Sequence, residues 1–206
     1  LRREGVPKKK ISLVGNVMID SLLKNIDRAQ GSDVLERLGL RPKRYSVATL
    51  HRPALVDDPK ALSSILDAFD RILRETTIVW PVHPRTKKNI EAFGLGERIR
   101  STTGLRTIEP RGYLDFLKLN QNAECALTDS GGLQEETTVL KTPCITIRDN
   151  TERPVTCTIG SNQLAGISPA GVLNAWRRVV NGDFSNRGIP KLWDGHTATR
   201  SAAEIV

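Results

Sequence analysis

Aromatic residues and long apolar runs are both scarce in this sequence. Phe, Trp and Tyr make up 4% of its 206 residues, so a stacking platform for single-stranded nucleic acid is not expected, and no nucleic-acid-binding motif occurs. No apolar run approaches the roughly 18 residues that a membrane-spanning helix needs. The basic start of the chain also lacks the apolar core of a signal peptide. The sequence therefore predicts no nucleic-acid partner and no membrane insertion.

Cysteines are few and irregularly spaced. The chain has three, Cys125, Cys144 and Cys157, and no Cys-x-x-Cys pair, which argues against a disulfide framework and against a zinc site. Cys125 and Cys144 lie in apolar runs, where a thiol packs as a small hydrophobic side chain. We therefore expect these two to be buried, no metal site, and a reducing cytoplasm as the compartment.

Basic residues outnumber acidic ones, 31 to 23, which gives a net charge of +8. An excess of this size favours phosphates or other polyanions as ligands, and a solvated basic surface is the alternative. The chain starts with Leu1 rather than Met. We therefore expect a fragment or a trimmed chain.

Short apolar or β-branched runs alternate with amphipathic stretches along the chain. The runs do not alternate with polar residues, as is typical of strands buried on both faces. The clearest helix begins with Asp58 as N-cap and Pro59 at the first helical position. The strand candidates are Ile11–Val14, Ser46–Leu50, Thr77–Pro81, Leu105–Ile108, Cys125–Thr128 and Cys144–Ile147, and the other helix candidates are Thr86–Phe93, Tyr113–Asn120, Ser130–Leu140 and Pro169–Val180.

This alternation predicts one α/β domain over residues 1–206, a Rossmann-like parallel sheet with helices on both faces. In such sheets, ligands bind at the carboxyl ends of the strands. Residues that directly follow the predicted strands are therefore the first candidates for a functional site.

The strongest of these segments runs from Thr128 to Glu136 and opens a predicted helix. Gly131 and Gly132 leave the backbone open to a phosphate, which the free N–H groups and the helix dipole would attract. Ser130 adds a hydroxyl donor, and Glu136 offers a carboxylate to ribose hydroxyls. The alternative is an ordinary capped helix after a tight turn.

Three further strand ends carry basic side chains. His51 and Arg52 follow one predicted strand and His83 another, where a histidine can donate to a diphosphate or transfer a proton. A structural histidine is the alternative at each position. Arg153 follows a third strand and could hold a phosphate, unless it only pairs with Glu152 or Asp149 in its own loop.

Seven segments of the chain together resemble a known family. The sequence is similar, over essentially its whole length, to the C-terminal half of the non-hydrolysing UDP-N-acetylglucosamine 2-epimerases. Any single segment is a weak signal, but seven in the same order are specific. The segments are Val14–Asp20, His51-Arg52, His83-Pro84, Tyr113–Phe116, Asp129–Glu136, Thr151–Pro154 and Trp193–Gly195.

The resemblance implies a fold and a set of binding roles. The family has two Rossmann-like domains, as in GT-B glycosyltransferases, and residues 1–206 would be the C-terminal nucleotide-sugar-binding domain. UDP-N-acetylglucosamine or UDP would lie in the cleft between the domains, with the absent N-terminal domain as a partner. By position, phosphate would be held by Ser130, Gly131 and Gly132, the ribose by Glu136, and the uracil by the backbone near Phe116. The diphosphate and sugar would be bound by His51, which Arg52 adjoins, and by Arg153. His83 would lie near a regulatory second nucleotide sugar.

The resemblance also implies a reaction. The family interconverts UDP-N-acetylglucosamine and UDP-N-acetylmannosamine for cell-surface polysaccharide synthesis, by eliminating UDP and adding it back with C2 inverted. It needs no metal and no nicotinamide cofactor. The main acid and base carboxylates belong to the N-terminal half, so His51 is the one catalytic candidate in this chain. Alone, the chain is expected to be inactive and to expose an apolar or basic face, with self-association, such as a homodimer, as a consequence.

Two positions depart from the family pattern. Leu55 stands where the family commonly has Asn, four residues after the histidine, and cannot replace the hydrogen bonds of an amide. Lys141 and Thr142 replace a usual glycine at a helix end, which affects the C-cap. Two other functions stay open at this point, the donor-binding domain of a GT-B glycosyltransferase and a non-catalytic nucleotide-sugar-binding module.

Overall fold

A computed structural model describes residues 2–183 and 188–205, and places six strands of this part of the chain in one sheet. All neighbouring strands are parallel, in the order β3-β2-β1-β4-β5-β6. In this doubly wound order, β2 and β3 are added on one side of β1, and β4, β5 and β6 on the other. The change of side leaves a crevice at the carboxyl ends of β1 and β4. The strands are β1 (Tyr45–Thr49), β2 (Thr77–Pro81), β3 (Leu105–Ile108), β4 (Ala126–Thr128), β5 (Cys144–Thr146) and β6 (Asn162–Leu164).

Helices cover both faces of the sheet, as the sequence predicts. On one face α1 packs on α7 and α8, and α2 packs on α7, while on the other face α4 packs on α10. The helices are α1 (Val17–Gln30), α2 (Val34–Arg37), α3 (Pro53–Val56), α4 (Pro59–Ile72), α5 (Pro84–Ala92), α6 (Gly96–Ser101), α7 (Tyr113–Asn122), α8 (Gly131–Leu140), α9 (Pro154–Thr158), α10 (Pro169–Val180) and α11 (Thr197–Ala203), after two 3-10 turns at Arg2–Glu4 and Lys8–Lys10.

The two faces of the sheet bury separate hydrophobic clusters. Ala48 of β1 belongs to the cluster under α4 and α10, whereas its neighbour Val47 faces Leu119 of α7. Successive strand residues point to opposite faces, so a strand that is apolar on both faces must be covered on both. The buried, non-alternating strands predicted from the sequence are thus confirmed. Cys125 and Cys144 are buried among them, also as predicted.

Helix α4 begins as the sequence predicts. The Asp58 carboxylate accepts hydrogen bonds from the backbone N–H groups of Lys60, at 2.8 Å, and Ala61, at 3.3 Å. These bonds satisfy donors that have no partner inside the helix. The predicted apolar stripe is buried from Leu62 to Ile72, and burial of each large side chain contributes about 1.5–3 kcal/mol.

One predicted strand is wrong, and one real strand was missed. Ile11–Val14 lies outside the sheet, with Leu13 78% exposed, because this segment leads directly into α1 at its N-cap, Asn16. The missed strand, β6, has the sequence Asn-Gln-Leu and lacks the apolar signal of a strand. Asn162 is instead held by side-chain hydrogen bonds, including one from Thr146 at 2.6 Å.

The first and last segments of the family pattern bind each other. Arg200 of α11 donates to the carbonyl of Val14 at 2.7 Å and to the Asp194 carboxylate at 2.7 Å. Asp20 of α1 accepts from the backbone N–H of Thr197 at 3.1 Å, at the start of α11. Trp193 packs against the cluster around α1, as expected of an apolar anchor. These two segments therefore fasten α11 to α1, away from the strand ends.

No helix in the described part of the chain is long and apolar enough to cross a membrane.

Candidate functional site

A cleft with about 650 Å³ of empty space lies at the carboxyl ends of β1, β2, β3 and β4. Every one of these strands contributes lining residues at its end or within three positions after it, so the parallel sheet itself gathers them. None of the lining residues is acidic, which suits an anionic ligand. They are Thr49, Leu50, His51, Pro81, His83, Pro110, Arg111, Phe116, Ser130 and Leu133.

One wall of the cleft is the N-terminus of α8. Ser130 is the N-cap, and its hydroxyl accepts from the Leu133 N–H at 3.5 Å. A Cβ atom added to Gly132 would meet nothing within 4 Å, and one on Gly131 would lie 3.9 Å from the guanidinium of Arg52. Packing within the chain therefore does not require glycine here. The open backbone is instead free to receive a ligand, and a helix N-terminus favours an anion.

His51 lies at the crevice between β1 and β4 and is tied to Asp129. Its ring Nδ1 lies 2.9 Å from Oδ1 of Asp129, whose side chain is fully buried. The other carboxylate oxygen, Oδ2, accepts from the backbone N–H groups of His51 at 2.8 Å and Arg52 at 2.7 Å. The hydrogen bond to Asp129 raises the pKa of His51, against the opposing effects of burial and of Arg52. The imidazolium form is thus stabilised beside the cleft.

His83 contributes to both the fold and the cleft. Its Nδ1 accepts from the backbone N–H of Arg85 at 3.2 Å and so caps α5. Its ring also lies 6.1 Å from the ring of His51, centre to centre, and faces the cleft. The structural role foreseen as the alternative is therefore present, together with the placement expected of a site residue. Helix α5 begins two residues earlier than predicted, because Pro84 takes the first helical position.

Glu136 is buried against α7 rather than lining the cleft. The Tyr113 hydroxyl donates to its carboxylate at 3.3 Å. Burial raises the pKa of Glu136, helped by Glu135 and opposed by the bond from Tyr113. Burial, with the carboxylate nearby, also raises the pKa of Tyr113 to about 12. Glu136 is thus a buried acceptor held by Tyr113 of α7, the helix that also carries Phe116.

Arg153 has a different partner from those foreseen in the sequence. Its Nε lies 2.6 Å from Oε1 of Glu135 on α8, whose side chain is 6% exposed. The foreseen side-chain pairing with Glu152 or Asp149 is not the arrangement seen, because the loop turns Arg153 toward α8. This ion pair fixes Arg153 against α8.

Arg52 is not among the lining residues of the cleft but lines a neighbouring pocket of about 560 Å³, with its guanidinium close to Gly131. It lies 3.7 Å from Glu152, which is held more closely by Arg148 at 2.7 Å. The bond from Arg148 lowers the pKa of Glu152 to about 2. Leu55 lines this second pocket and is 2% exposed, so the departure from the family pattern places an apolar side chain in a wall that is otherwise partly charged.

One residue of the cleft was missed by the sequence analysis. Arg111 lines it, and the buried Nε of its guanidinium has no hydrogen-bond partner in the described structure. A buried donor without a partner is costly, which marks it as a group that a ligand could satisfy. The signal was present in the sequence, since Arg111 follows β3 as His51 follows β1.

Within residues 2–183 and 188–205, no group of three or more His, Cys, Asp and Glu side chains is placed to hold a metal ion.

The sequence was compared with protein families and with known proteins. The model of the family described as UDP-N-acetylglucosamine 2-epimerase matches residues 1–206. A UDP-N-acetylglucosamine 2-epimerase from Methanococcus maripaludis is 38% identical over 190 residues, which are 90% of this chain and 51% of that protein. A UDP-2,3-diacetamido-2,3-dideoxy-D-glucuronate 2-epimerase from Pseudomonas aeruginosa is 36% identical over 210 residues, 100% of this chain and 56% of that protein.

The fold is also similar to solved structures. A crystal structure of the Methanocaldococcus jannaschii UDP-GlcNAc 2-epimerase, in complex with UDP-GlcNAc and UDP, superposes with a TM-score of 0.87 at 37% identity. The match covers 98% of this chain and 57% of the other. The chain thus spans about half the length of these relatives, and it matches their C-terminal half.

Proposed function

Since this chain belongs to the UDP-N-acetylglucosamine 2-epimerase family, we propose that residues 1–206 form the C-terminal, nucleotide-sugar-binding domain of such an isomerase. The longer protein would interconvert UDP-N-acetylglucosamine and UDP-N-acetylmannosamine, in the cytoplasm and for polysaccharide synthesis. Its other partner would be the N-terminal domain across the cleft.

The observation that carries this proposal is the cleft without acidic lining, at the N-terminus of α8. A UDP diphosphate placed there would meet the open backbone at Gly131 and Gly132, the hydroxyl of Ser130, and the helix dipole. Arg153, fixed by Glu135, would supply a charge-assisted hydrogen bond. Such an arrangement selects a phosphate-bearing ligand over a neutral sugar.

The nucleoside would extend toward α7. Phe116 lines the cleft on that side, and the backbone near it would recognise the uracil edge. Glu136, held by Tyr113, would accept from the ribose hydroxyls. Arg111, with its unpartnered Nε, would donate to the same end of the ligand.

His51 would carry the part of the chemistry that this chain supplies. In the elimination, the C1–O bond of the sugar breaks and its electron pair leaves with UDP, while the C2 proton goes to a base in the other domain and a C1=C2 double bond forms. His51 would donate its Nε2 proton or a hydrogen bond to the departing diphosphate oxygen. The re-addition reverses these steps. His83 would face a second, regulatory nucleotide sugar.

Titration calorimetry tests the binding half of the proposal. We expect this chain to bind UDP weakly, with a dissociation constant on the order of 1 mM, because one wall of the cleft supplies only some of the contacts. Glu136→Ala should weaken UDP more than inorganic phosphate, since it removes a ribose contact. Absence of UDP binding at millimolar concentration contradicts the proposal, and equal weakening of both ligands contradicts the role of Glu136.

The reaction is tested on the longer protein that contains this chain. We expect NMR to detect the manno epimer during incubation with UDP-N-acetylglucosamine. Transfer of the sugar to an acceptor without epimer would identify a glycosyltransferase instead. Binding without any turnover would identify a non-catalytic module.

A further inference from the structure

We propose that Asp129 is a positioning residue that fixes the ring orientation and the tautomer of His51, so that Nε2 is the ring atom presented to the cleft. The importance of this for turnover rests on the proposed function, but the positioning itself does not. Asp129 directly follows β4, and His51 lies two residues after the end of β1. The crevice between these two strands brings them together.

Asp129 holds the backbone at His51. Oδ2 of Asp129 accepts from two consecutive backbone N–H groups, those of His51 at 2.8 Å and Arg52 at 2.7 Å. The Asp129 side chain is 0% exposed, so water does not compete for these bonds. A carboxylate that binds two successive amides fixes the direction in which the chain leaves β1, and with it the starting point of the His51 side chain.

Asp129 also contacts the imidazole ring of His51. Nδ1 lies 2.9 Å from Oδ1 of Asp129, and a carboxylate oxygen offers only lone pairs to a hydrogen bond. At this distance a lone pair on Nδ1 would be repelled by the carboxylate oxygen, which has no aligned hydrogen-bond partner in the described part of the chain, so the contact favours the proton on Nδ1. In the neutral ring Nε2 is then a free acceptor, and in the imidazolium it is a donor. Either way, the atom that can exchange a proton with a ligand is the one turned away from Asp129.

The charges around the ring favour the same arrangement. The groups that face His51 are Asp129 from β4, Arg52 from its own loop, and His83 from the end of β2, whose ring centre is 6.1 Å away. Asp129 is the one carboxylate among them, and its Oδ1 lies 2.9 Å from Nδ1 of the ring. It raises the pKa of His51 despite burial and Arg52, so Nε2 is protonated over a wider range of pH than in a free histidine.

Nitrogen-15 NMR of the histidine rings tests the proposal without any ligand. The chain has three histidines, and His83→Gln and His196→Gln assign the signals of His51 by elimination. We expect neutral His51 to carry its proton on Nδ1. In Asp129→Asn the new amide can donate to Nδ1, so the proton should move to Nε2 and the pKa of His51 should fall. The proton on Nε2 in the unsubstituted chain would overturn the proposal, whether or not the variant folds.

Glu135→Gln is the matched control. Glu135 is also a buried carboxylate near the cleft, but its ion pair is with Arg153. This variant should leave the tautomer and pKa of His51 unchanged. If it changes them as Asp129→Asn does, the effect is general electrostatics and the positioning role is wrong. Addition of UDP then tests the proposed function separately, because His51 signals can have the expected tautomer and still not respond to UDP.

Kinetics of the longer enzyme gives the last test. Asp129→Asn, checked for native structure by circular dichroism, should lower kcat by about 10²-fold or more with a smaller change in KM, because the ring presents the wrong nitrogen in the transition state. The optimum of kcat should also move with pH. A loss confined to KM, with an unchanged pH profile, would mean that Asp129 serves only to shape the binding site.

Discussion

At the scale of single residues, carboxylates decide how the basic groups of the cleft are placed. His51 is held by Asp129 and Arg153 by Glu135, in both cases with the carboxylate buried and the basic group about half exposed. A buried carboxylate keeps one orientation because its neighbours fix it, whereas a surface ion pair contributes little. These two basic side chains are therefore oriented before a ligand arrives.

The raised pKa of His51 gives a pH-dependent prediction. A histidine whose folded pKa lies above its unfolded value, near 6.5, stabilises the fold fully below that value and loses the contribution as pH rises through the folded pKa. His51→Gln should therefore destabilise the chain more at about pH 5.5 than at about pH 8.5. Urea unfolding at both pH values measures the difference. His196→Gln serves as the control, and a His51→Gln effect that grows with pH would contradict the prediction.

At the scale of elements, α8 combines an open N-terminus with a strained C-terminus. Five consecutive residues of this helix, Gln134 to Thr138, are polar and buried. Gln134 accepts from the Thr151 hydroxyl at 2.6 Å and so anchors the loop that leads to Arg153. The helix thus organises both the phosphate-sized opening and the loop beside it. It ends at Lys141, which has the left-handed conformation with φ +55°.

Lys141→Gly should stabilise the chain. A side chain in the left-handed region costs about 1–2 kcal/mol relative to glycine, and the greater freedom of glycine in the unfolded chain offsets part of that gain. We expect a net increase of about 0.5–1 kcal/mol in the free energy of unfolding. Urea denaturation measures it, with Lys141→Ala as the control, which removes the amine but keeps Cβ. An equal gain from both variants would show that charge, not backbone strain, was responsible.

At the scale of the whole molecule, the ionisable groups in the part of the cleft that this chain forms are basic. Its lining has histidines and an arginine but no carboxylate, and the buried carboxylates beside it, Asp129, Glu135 and Glu136, are occupied by other groups of the chain. None of the three lines the cleft. The sequence analysis had assigned Glu136 to the ribose, and the structure adds that Asp129 contacts His51.

We therefore expect this chain alone not to epimerise UDP-N-acetylglucosamine. General acid–base catalysis contributes about 10²–10⁴-fold and positioning contributes more, and both need a base opposite His51. Incubation in deuterated water, followed by NMR of the C2 position, is the measurement. The longer protein serves as the positive control, and UDP binding shows that the isolated chain is folded. Deuterium appearing at C2 with the isolated chain would show that the base lies in this half.

The sequence by itself determined the alternation of strands and helices, the parallel sheet, the cap at Asp58, and the strand ends that carry His51 and His83. These follow from local chemistry, since apolar runs, capping residues and glycines act on their own neighbours. It did not determine β6, which is polar and held by side-chain hydrogen bonds, nor the place of Ile11–Val14 outside the sheet. Only the tertiary structure decided which carboxylate contacts which basic group. Asp129 is 78 residues from His51 along the chain, and the two come into contact only because β1 and β4 lie side by side in the sheet.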